Sequence, residues 1–404
     1  MTTGSVIQAT TVLGVPRLGQ SNGSTSNTFW RMRAHAERRS DAPMTPFLTA
    51  SADGWRATAA TVPAFLSVDV EPDGFQPAPR AIDPWSGFAA IYDVLAELRG
   101  RLAQRSGAWP AFGWYVRTDP QIEATFGRAD AAFATFPDRF TALTREGDYF
   151  GVHAHPIRWS AAHACWVHDV AEPAWLRHVA TSALEAFARA TGARATRVRS
   201  GGGFLNDDLV GVFDAHGVQV ELGFEPGASW GLTARQVATG VDTSPIVGAY
   251  VDSTDAPRTP YRPDRCDFRR RGGADGRGLT IVPVTTGPRR LPPRGLGLAV
   301  RRLLGRTPKP RSTRVLYPTA DWPSDRYYWD LVAHRLDAME RPYLSLGLRT
   351  DAPGTAVMRT LVRRLRALVR HPLAARLRFV DPLAVVETLR SDAVAGDARC
   401  STPV

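Results

Sequence analysis

The sequence predicts an α/β fold in which parallel strands close into a barrel within a single domain. From about residue 62, apolar runs with strand character alternate with segments of helical periodicity. Several of these runs end in charged or imidazole side chains, and parallel barrels collect such groups at the carboxyl-terminal face of the sheet. The chain has 404 residues and a hydrophobic content of 44%, which is enough for one large core.

The predicted strands are short apolar runs that lie between the predicted helices. They span residues 65–70, 111–116, 149–153, 197–199, 218–222, 279–284 and 343–348. Helices are predicted where apolar residues recur at intervals of three and four positions. They span residues 87–102, 136–146, 175–191, 209–216 and 358–369. This order of elements is that of repeated β-α units around a parallel sheet.

Three segments depart from the alternating pattern. Residues 1–60 are rich in Ser, Thr, Gly and Ala and lack periodicity, so we expect a disordered lead. The barrel is predicted for residues 61–392, and a tail follows at 393–404. Within the barrel, residues 288–314 form a basic insertion that is rich in Arg and Pro around a short apolar stretch.

Composition limits the function classes. The net charge is +11, and nearly all of the basic residues are arginine, with Lys309 the only lysine. This bias is typical of a GC-rich genome, and basic residues do not alternate with aromatic ones, so we expect no nucleic-acid partner. Residues 1–13 lack the basic start and apolar core of a secretory signal, and no apolar run approaches the ~20 residues of a membrane helix. The expected location is the cytoplasm.

Two strand ends carry candidate metal ligands. Asp69 and Glu71 lie at the end of the first apolar run, and His153 and His155 lie at the end of a later run. Alternate residues of a strand share a face, so the two members of each pair can point the same way. Either pair alone is more often an ordinary strand end. Together they predict a divalent-metal site with one carboxylate left over as a base.

A third strand end carries Arg199, which Ser200 and a run of three glycines follow. We expect Arg199 to pair with a carboxylate of the site. The glycine run, with Gly202 at its centre, lets the backbone approach another group closely, although an ordinary loop is the alternative. A phosphate-binding loop is disfavoured, because the spacing Gly-x-Gly-x-x-Gly after a strand is absent.

These three motifs, in this order, resemble those of the polysaccharide deacetylase family, which has the NodB-homology fold and is also called carbohydrate esterase family four. Three further stretches are similar to a divergent bacterial subgroup of that family, at residues 114–122, 204–208 and 260–263. The resemblance covers roughly residues 62–390. It implies a distorted (β/α) barrel with seven strands and a hydrolase that removes acetyl groups from N-acetylated sugars or polysaccharides.

The resemblance also implies a role for each motif residue. Asp69 matches the catalytic base, and Arg199 matches the arginine that holds this base. Glu71 matches a second, metal-binding acid, displaced by one position. His153 matches the first metal histidine, whereas His155 is a looser match, since the common motif places its second histidine four residues on. The implied cofactor is a divalent metal ion, zinc, bound by Glu71, His153 and His155.

One position departs from the family pattern. The family has a histidine after a late strand that protonates the leaving amine, and Arg349 stands at the corresponding place. An arginine, with a pKa above ~12, cannot act as a general acid at neutral pH, although it can stabilise an oxyanion. Either Asp351, a metal-bound water or another group supplies the proton, or the barrel binds glycan without turning it over. Both hypotheses are kept, and the position of Arg349 relative to Asp69 and Glu71 bears on them.

Two further features concern the substrate and the membrane. Trp159, close after the histidines, either offers an aromatic platform to a sugar ring or packs under a loop. With Gly202 and Asp351 it completes the expected substrate contacts. The insertion at 288–314 is either a solvated loop or a surface helix that contacts anionic lipid at the inner face of the membrane.

Overall fold

Parallel strands form the centre of the protein. The computed structural model describes residues 61–74, 77, 83–227, 246–273, 275–288, 290–291 and 313–390. The predictions for the lead at 1–60, for the tail at 393–404 and for most of the insertion at 288–314 therefore lie outside the described residues.

Seven strands follow one another around the sheet. In spatial order they are β12 (Leu344–Arg349), β1 (Val62–Val70), β2 (Gly113–Arg117), β3 (Tyr149–Ala154), β6 (Arg197–Ser200), β7 (Val220–Glu221) and β9 (Thr280–Ile281). Every neighbouring pair in this order is parallel. An additional strand, β13 (Leu377–Phe379), pairs with the start of β1. The predicted fold class, a parallel α/β sheet of seven strands with barrel curvature, is confirmed.

The two ends of this sheet meet through hydrogen bonds of two residues. The Thr285 N–H donates to the Ser345 carbonyl oxygen at 3.0 Å, and the Ser345 N–H donates to the Thr285 hydroxyl at 2.8 Å. Thr285 follows β9 in the chain, and Ser345 belongs to β12. We call this junction between β9 and β12 the seam. It is joined by these hydrogen bonds and not by a strand ladder, and this is where the barrel is distorted.

Helices occur between most of the strands. They are α1 (Ser86–Ser106), α2 (Pro120–Phe126), α3 (Ala131–Thr135), α4 (Pro137–Arg145), α5 (Pro173–Thr191), α6 (Asp207–Ala215), α7 (Asp325–Asp337), α8 (Ala356–Arg370) and α9 (Val386–Leu389). The five predicted helices correspond to α1, α4, α5, α6 and α8. None of the helices in the described ranges combines the length and the apolar character that crossing a bilayer requires.

Strand β1 shows how the sheet uses its two faces. All nine of its residues are buried. The apolar residues at its even positions belong to the large core that the sheet shares with α1, α7 and α8. Phe65 belongs to a separate, smaller core with residues of β2, β3 and β7. Because side chains alternate along a strand, Asp69 shares the face of Phe65 and emerges at the carboxyl-terminal end of the barrel.

Several elements lie outside the sequence prediction. They include a small sheet of β4 (Ile157–Ser160), β5 (Cys165–Asp169) and β8 (Ile246–Val247), and the antiparallel pair β10 (Thr286–Pro288) and β11 (Thr313–Val315). Helices α2, α3, α7 and α9 were not predicted either. Helices α2, α3 and α9 are too short for a period of 3.6 to be recognised.

Candidate active site

The end of β1 places two carboxylates at the mouth of the barrel. Asp69 and Glu71 are 3% and 2% exposed. Thr350, directly after β12, holds the backbone between them: its N–H donates to the Asp69 carbonyl oxygen at 3.2 Å, and its hydroxyl accepts from the Glu71 N–H at 2.8 Å. Sequence analysis missed Thr350, because a single threonine after a strand has no distinctive pattern.

Arg199, in β6, donates two hydrogen bonds to Asp69. Its Nε donates to Asp69 Oδ1 at 2.6 Å, and its Nη2 donates to Oδ2 at 3.1 Å. The remaining Nη1 donates to the Leu222 carbonyl oxygen at 2.6 Å. Burial acts to lower the pKa of Arg199, but the charge of Asp69 and the hydrogen bonds to it raise this pKa above its usual value. The Asp69 carboxylate is thus fixed in orientation by a bidentate partner.

Glu71, His153 and His155 converge on one point. Their ligand atoms lie within 4.8 Å of one another, and all three residues are buried. His153 Nε2 lies 3.3 Å from one Glu71 oxygen, and His155 Nε2 lies 3.5 Å from the other. The two Nε2 atoms are 2.9 Å apart. Across the described ranges, this is the one group of three or more His, Cys, Asp or Glu side chains that could hold a metal ion.

A backbone contact sets the tautomer of His153. Its Nδ1 lies 2.8 Å from the Arg199 carbonyl oxygen, which can only accept a hydrogen bond. Nδ1 therefore carries the proton, and the neutral ring has its lone pair on Nε2, which faces the cluster. Burial acts to lower the pKa of His153, but the charges of Asp69 and Glu71 outweigh burial and raise this pKa.

The other two members of the cluster are shifted toward the forms that bind metal. Burial and the positive charge of Arg117 hold the pKa of His155 well below its usual value. Burial acts to raise the pKa of Glu71, but the charge of Arg349 and the two neighbouring histidines hold it well below its usual range. A neutral imidazole and an ionised carboxylate are the states that coordinate a cation.

Arg117 and Asp119 support the backbone of His155 through hydrogen bonds. Arg117 donates to both Asp119 oxygens, at 2.7 and 2.8 Å, and also to Gln121 Oε1 at 2.7 Å. Asp119 Oδ2 in turn accepts from the His155 backbone N–H at 3.1 Å. Sequence analysis gave these residues no role, although all of them lie in the stretch 114–122 that is similar to the bacterial subgroup.

Arg349 approaches the cluster from β12. It is the register partner of Asp69, and its Nε lies 3.6 Å from Glu71 Oε1. Its Nη2 donates to Asp351 Oδ2 at 2.5 Å. The Arg349 side chain is 43% exposed. The guanidinium group therefore lies in the mouth of the barrel, between the Glu71–His153–His155 cluster and solvent.

The glycine run packs against imidazole rings. A Cβ on Gly201 would lie 2.3 Å from His155 Cδ2, and a Cβ on Gly202, whose φ is +64°, would lie 2.9 Å from His168 Cε1. The close approach expected of this run is thus made to the protein's own histidines. His168, in β5, is a third buried histidine, 5.7 Å from His155 between ring centroids, and sequence analysis missed it. Burial, with the charge of Arg117, lowers the pKa of His168 to about 3.

Trp159 lies on the hairpin of β4 and β5. It is 55% exposed, and its ring meets the edge of Trp166, its cross-strand partner, at a centroid distance of 5.7 Å. In the same hairpin Ile157 pairs with His168. Because alternate residues of a strand share a face, the two tryptophans lie on the hairpin face that also carries His168. An exposed aromatic surface therefore extends outward from the histidine that packs on the cluster.

Comparison with known proteins returns structures and no sequence relatives. No protein-family model and no curated protein matches the chain. A protein assigned as a polysaccharide deacetylase from Mycobacterium smegmatis is 13% identical, with a TM-score of 0.41 over 90% of this chain and 100% of that chain. One from Pseudomonas aeruginosa, also assigned as a polysaccharide deacetylase, is 12% identical, with a TM-score of 0.43 over 81% of this chain and 90% of that chain. The Puue allantoinase is 11% identical, with a TM-score of 0.44 over 82% of this chain and 91% of that chain.

Two of these three structures are thus assigned to polysaccharide deacetylases. The sequence motifs resemble the same family. The third structure is that of an allantoinase.

Proposed function

We propose that this protein is a metal-dependent hydrolase that removes an acetyl group from an N-acetylated sugar or polysaccharide. The observation that carries the proposal is the convergence of Glu71, His153 and His155 beside the Asp69–Arg199 pair. Two imidazoles and one carboxylate are a donor set that zinc accepts, and such a set leaves a coordination position open. Zinc is therefore the cofactor that we propose.

The geometry of the cluster fits such an ion. Zinc–ligand bonds of ~2.0–2.2 Å in a tetrahedral site separate the ligand atoms by about 3.3–3.6 Å. The two Nε2 atoms are 2.9 Å apart, and they lie 3.3 and 3.5 Å from different oxygens of Glu71. Glu71 Oε1 is also buried and accepts no hydrogen bond from the described residues. A buried carboxylate oxygen in that position is suited to a cation.

Each residue around the cluster has a separate role in the proposed reaction. A bound zinc ion supplies Lewis acidity toward the acetamide carbonyl and toward water. Asp69 takes the proton of the attacking water, and Arg199 holds the carboxylate in the orientation that receives it. Arg349, beside Glu71, donates hydrogen bonds to the oxygen on which negative charge develops.

Three residues are proposed to contact the sugar. Trp159 offers an exposed aromatic face on which a sugar ring can pack. Gly202 packs against His168, where any side chain would intrude, and its backbone is proposed to meet the sugar. Asp351 accepts a hydrogen bond from Arg349, and a carboxylate has further lone pairs for a sugar hydroxyl.

A barrel that binds glycan without turnover is the second candidate. The observation that favours it is the ion pair between Arg349 and Glu71, whose Nε and Oε1 are 3.6 Å apart. A guanidinium group in this position offsets the charge of the carboxylate that an ion would otherwise bind.

Metal analysis combined with an acetate assay separates the two candidates. For the hydrolase we expect stoichiometric zinc, loss of zinc in His153→Ala and His155→Ala, and no loss in the control His178→Ala, an exposed histidine of α5. The zinc-loaded wild type should release acetate from chitin oligomers, and both cluster variants should not. Unchanged metal content in both variants would contradict the proposed ligands. Oligomer binding without metal or acetate release would establish the second candidate.

A peripheral membrane contact is a further part of the proposal. We propose that the protein is cytoplasmic and that residues 288–314, with nine basic residues including Lys309, bind anionic lipid at the inner face of the membrane. Co-sedimentation with anionic vesicles should weaken steeply with salt and disappear when residues 288–314 are deleted. Equal binding by the deletion variant, or no binding by the full chain at low salt, would leave a solvated loop.

A further inference from the structure

The hairpin of β4 and β5 folds back onto the Glu71–His153–His155 cluster. Directly after His155 the chain passes through Pro156 into β4, and the Ile157 N–H donates to the His155 carbonyl oxygen at 2.8 Å. Strand β5 returns antiparallel to β4 and pairs His168 with Ile157. The Asp169 N–H then donates to the Pro156 carbonyl oxygen at 2.8 Å. The hairpin therefore carries His168 back to the level of His155.

His168 is held in the place where it meets His155. It is 4% exposed, and its strand is paired on both edges, with Ile157 of β4 and with Ile246 of β8. Its ring centroid lies 5.7 Å from that of His155, at an interplanar angle of 56°. Centroid separations of ~4.5–7 Å are those at which aromatic rings pack against each other. The two imidazoles thus form a buried contact between the hairpin and the cluster.

The backbone of the glycine run that follows β6 contacts both of these rings. A Cβ on Gly201 would overlap the His155 ring, and a Cβ on Gly202 would lie 2.9 Å from His168 Cε1. A larger residue at either position would therefore displace one of the two imidazoles. The rings of His155 and His168 are packed together between β5 and the end of β6.

The two histidines of the cluster are oriented by different means. His153 has its Nδ1 2.8 Å from the Arg199 carbonyl oxygen, and this hydrogen bond fixes the plane of its ring. The backbone of His155 is held by hydrogen bonds, but these do not fix its ring. The His155 ring meets the rings of His153 and His168 at 89° and 56°. Packing against His168 therefore contributes to the orientation in which His155 Nε2 faces Glu71.

We propose that His168 is a positioning residue for the metal site, and that its ring supports His155 in the orientation that coordinates the ion. This inference rests on the zinc site of the proposed function. His168 is not itself assigned as a ligand, because the group of ligand atoms within 4.8 Å of one another consists of Glu71, His153 and His155. Residues that orient a ligand from outside the coordination shell typically change metal affinity by ~10–100-fold when they are replaced.

This role accounts for the short spacing of the two histidines. His155 comes two residues after His153, whereas the common motif places its second histidine four residues on. Strand β3 ends at Ala154, so His155 lies just past its end and its ring is supported by other segments. The hairpin supplies one such support through His168, which comes later in the chain.

Zinc affinity tests the proposal without turnover. In His168→Ala, competition with a chelator of known affinity should show zinc binding weakened by ~10–100-fold, because the His155 ring can then turn away from the cluster. His168→Gln, which retains most of the side-chain volume, should bind zinc more tightly than His168→Ala. The matched control is His163→Ala, which removes an exposed histidine from the turn of the same hairpin and should bind zinc like the wild type.

A spectroscopic readout separates positioning from a loss of fold. Cobalt(II) in a zinc site has visible absorption bands that depend on the geometry of its ligands. At saturating cobalt these bands should shift in His168→Ala and stay unchanged in His163→Ala. Circular dichroism and denaturant unfolding of the zinc-free proteins show whether each variant folds. Should His168→Ala fail to fold, the same two measurements on His168→Gln decide the question.

The possible outcomes distinguish this inference from the proposed function. Wild-type zinc affinity and an unchanged cobalt spectrum in the folded His168 variants would overturn the inference while leaving the zinc site intact. Zinc binding that weakens in these variants, in a protein that releases no acetate, would support the inference and count against the hydrolase. If the wild type itself binds no zinc, the proposed metal site has failed, and the inference fails with it.

Discussion

The candidate site has two sides: at the ends of β1, β3 and β6 its side chains are buried, whereas Arg349 at the end of β12 is partly exposed. On the first side, His153 is bonded to the Arg199 carbonyl oxygen, and His155 is held through Asp119. On the second side, Arg349 is 43% exposed and forms ion pairs with Asp351 and Glu71. The side that would activate water is thus more deeply buried than the side of Arg349.

This contrast bears on the proposed chemistry. The proposed metal ligands and the proposed base need fixed geometry, because donor atoms must share one ion and one proton path. A general acid needs a proton at neutral pH, and Arg349 has none to give.

The largest expected effect is that of a substitution at Asp69, on the buried side of the candidate site. Asp69→Asn keeps the shape of the side chain but removes its basicity, so turnover should fall by at least ~10²-fold while metal content and fold are retained. Acetate release, zinc analysis and circular dichroism check this. Loss of activity together with unfolding would mean that Asp69 is structural, and the contrast between the two sides would then lose its catalytic meaning.

The sequence predicts the strands well where apolar residues alone define them. The predicted run at 149–153 matches β3 (Tyr149–Ala154) closely. Strand β1 instead begins at Val62, three residues before the predicted start at 65. Its first residues, Val62 to Ala64, are strand because they pair with β13, a partner more than 300 positions away. Pro63 has low strand propensity, so local pattern alone could not predict this pairing.

The residues of the candidate site were likewise predictable only where a local pattern identifies them. Asp69, Glu71, His153 and His155 stand out because alternation on one strand already puts each pair on one face. Thr350 acquires its role only from its contact with Glu71, a residue distant in the chain. Single-sequence reasoning has no pattern for such a contact, so Thr350 was missed.

The second expected effect is on the pH dependence of folding stability, and it concerns Glu225. The pKa of Glu225 is about 7 in the folded protein, because burial raises it above the usual ~4.3. Between these pH values the folded state keeps a proton that the unfolded state has lost, so wild-type stability falls as the pH rises through this window. Glu225→Gln cannot ionise and should escape this loss.

Denaturant unfolding at two pH values measures the effect. At pH 8 the Gln variant should gain up to about 3 kcal/mol relative to its standing at pH 4, since one pKa unit is worth ~1.4 kcal/mol. The exposed control Glu185→Gln should show no such difference. A Gln variant whose relative stability does not depend on pH would mean that burial does not raise the pKa of Glu225 in the folded protein.

The smallest expected effect concerns Arg349 itself. If Arg349 donates to the developing oxyanion, Arg349→Gln should lower kcat by about tenfold, because a half-exposed donor contributes less than the 10²–10³-fold of a buried one. Zinc content should stay the same, and the control Arg326→Gln, 87% exposed on α7, should match the wild type. The opposite outcome is equally informative. A rise in zinc content and turnover would mean that the guanidinium group competes with the metal ion for Glu71, so that Arg349 holds the barrel in a glycan-binding state and its removal restores the hydrolase.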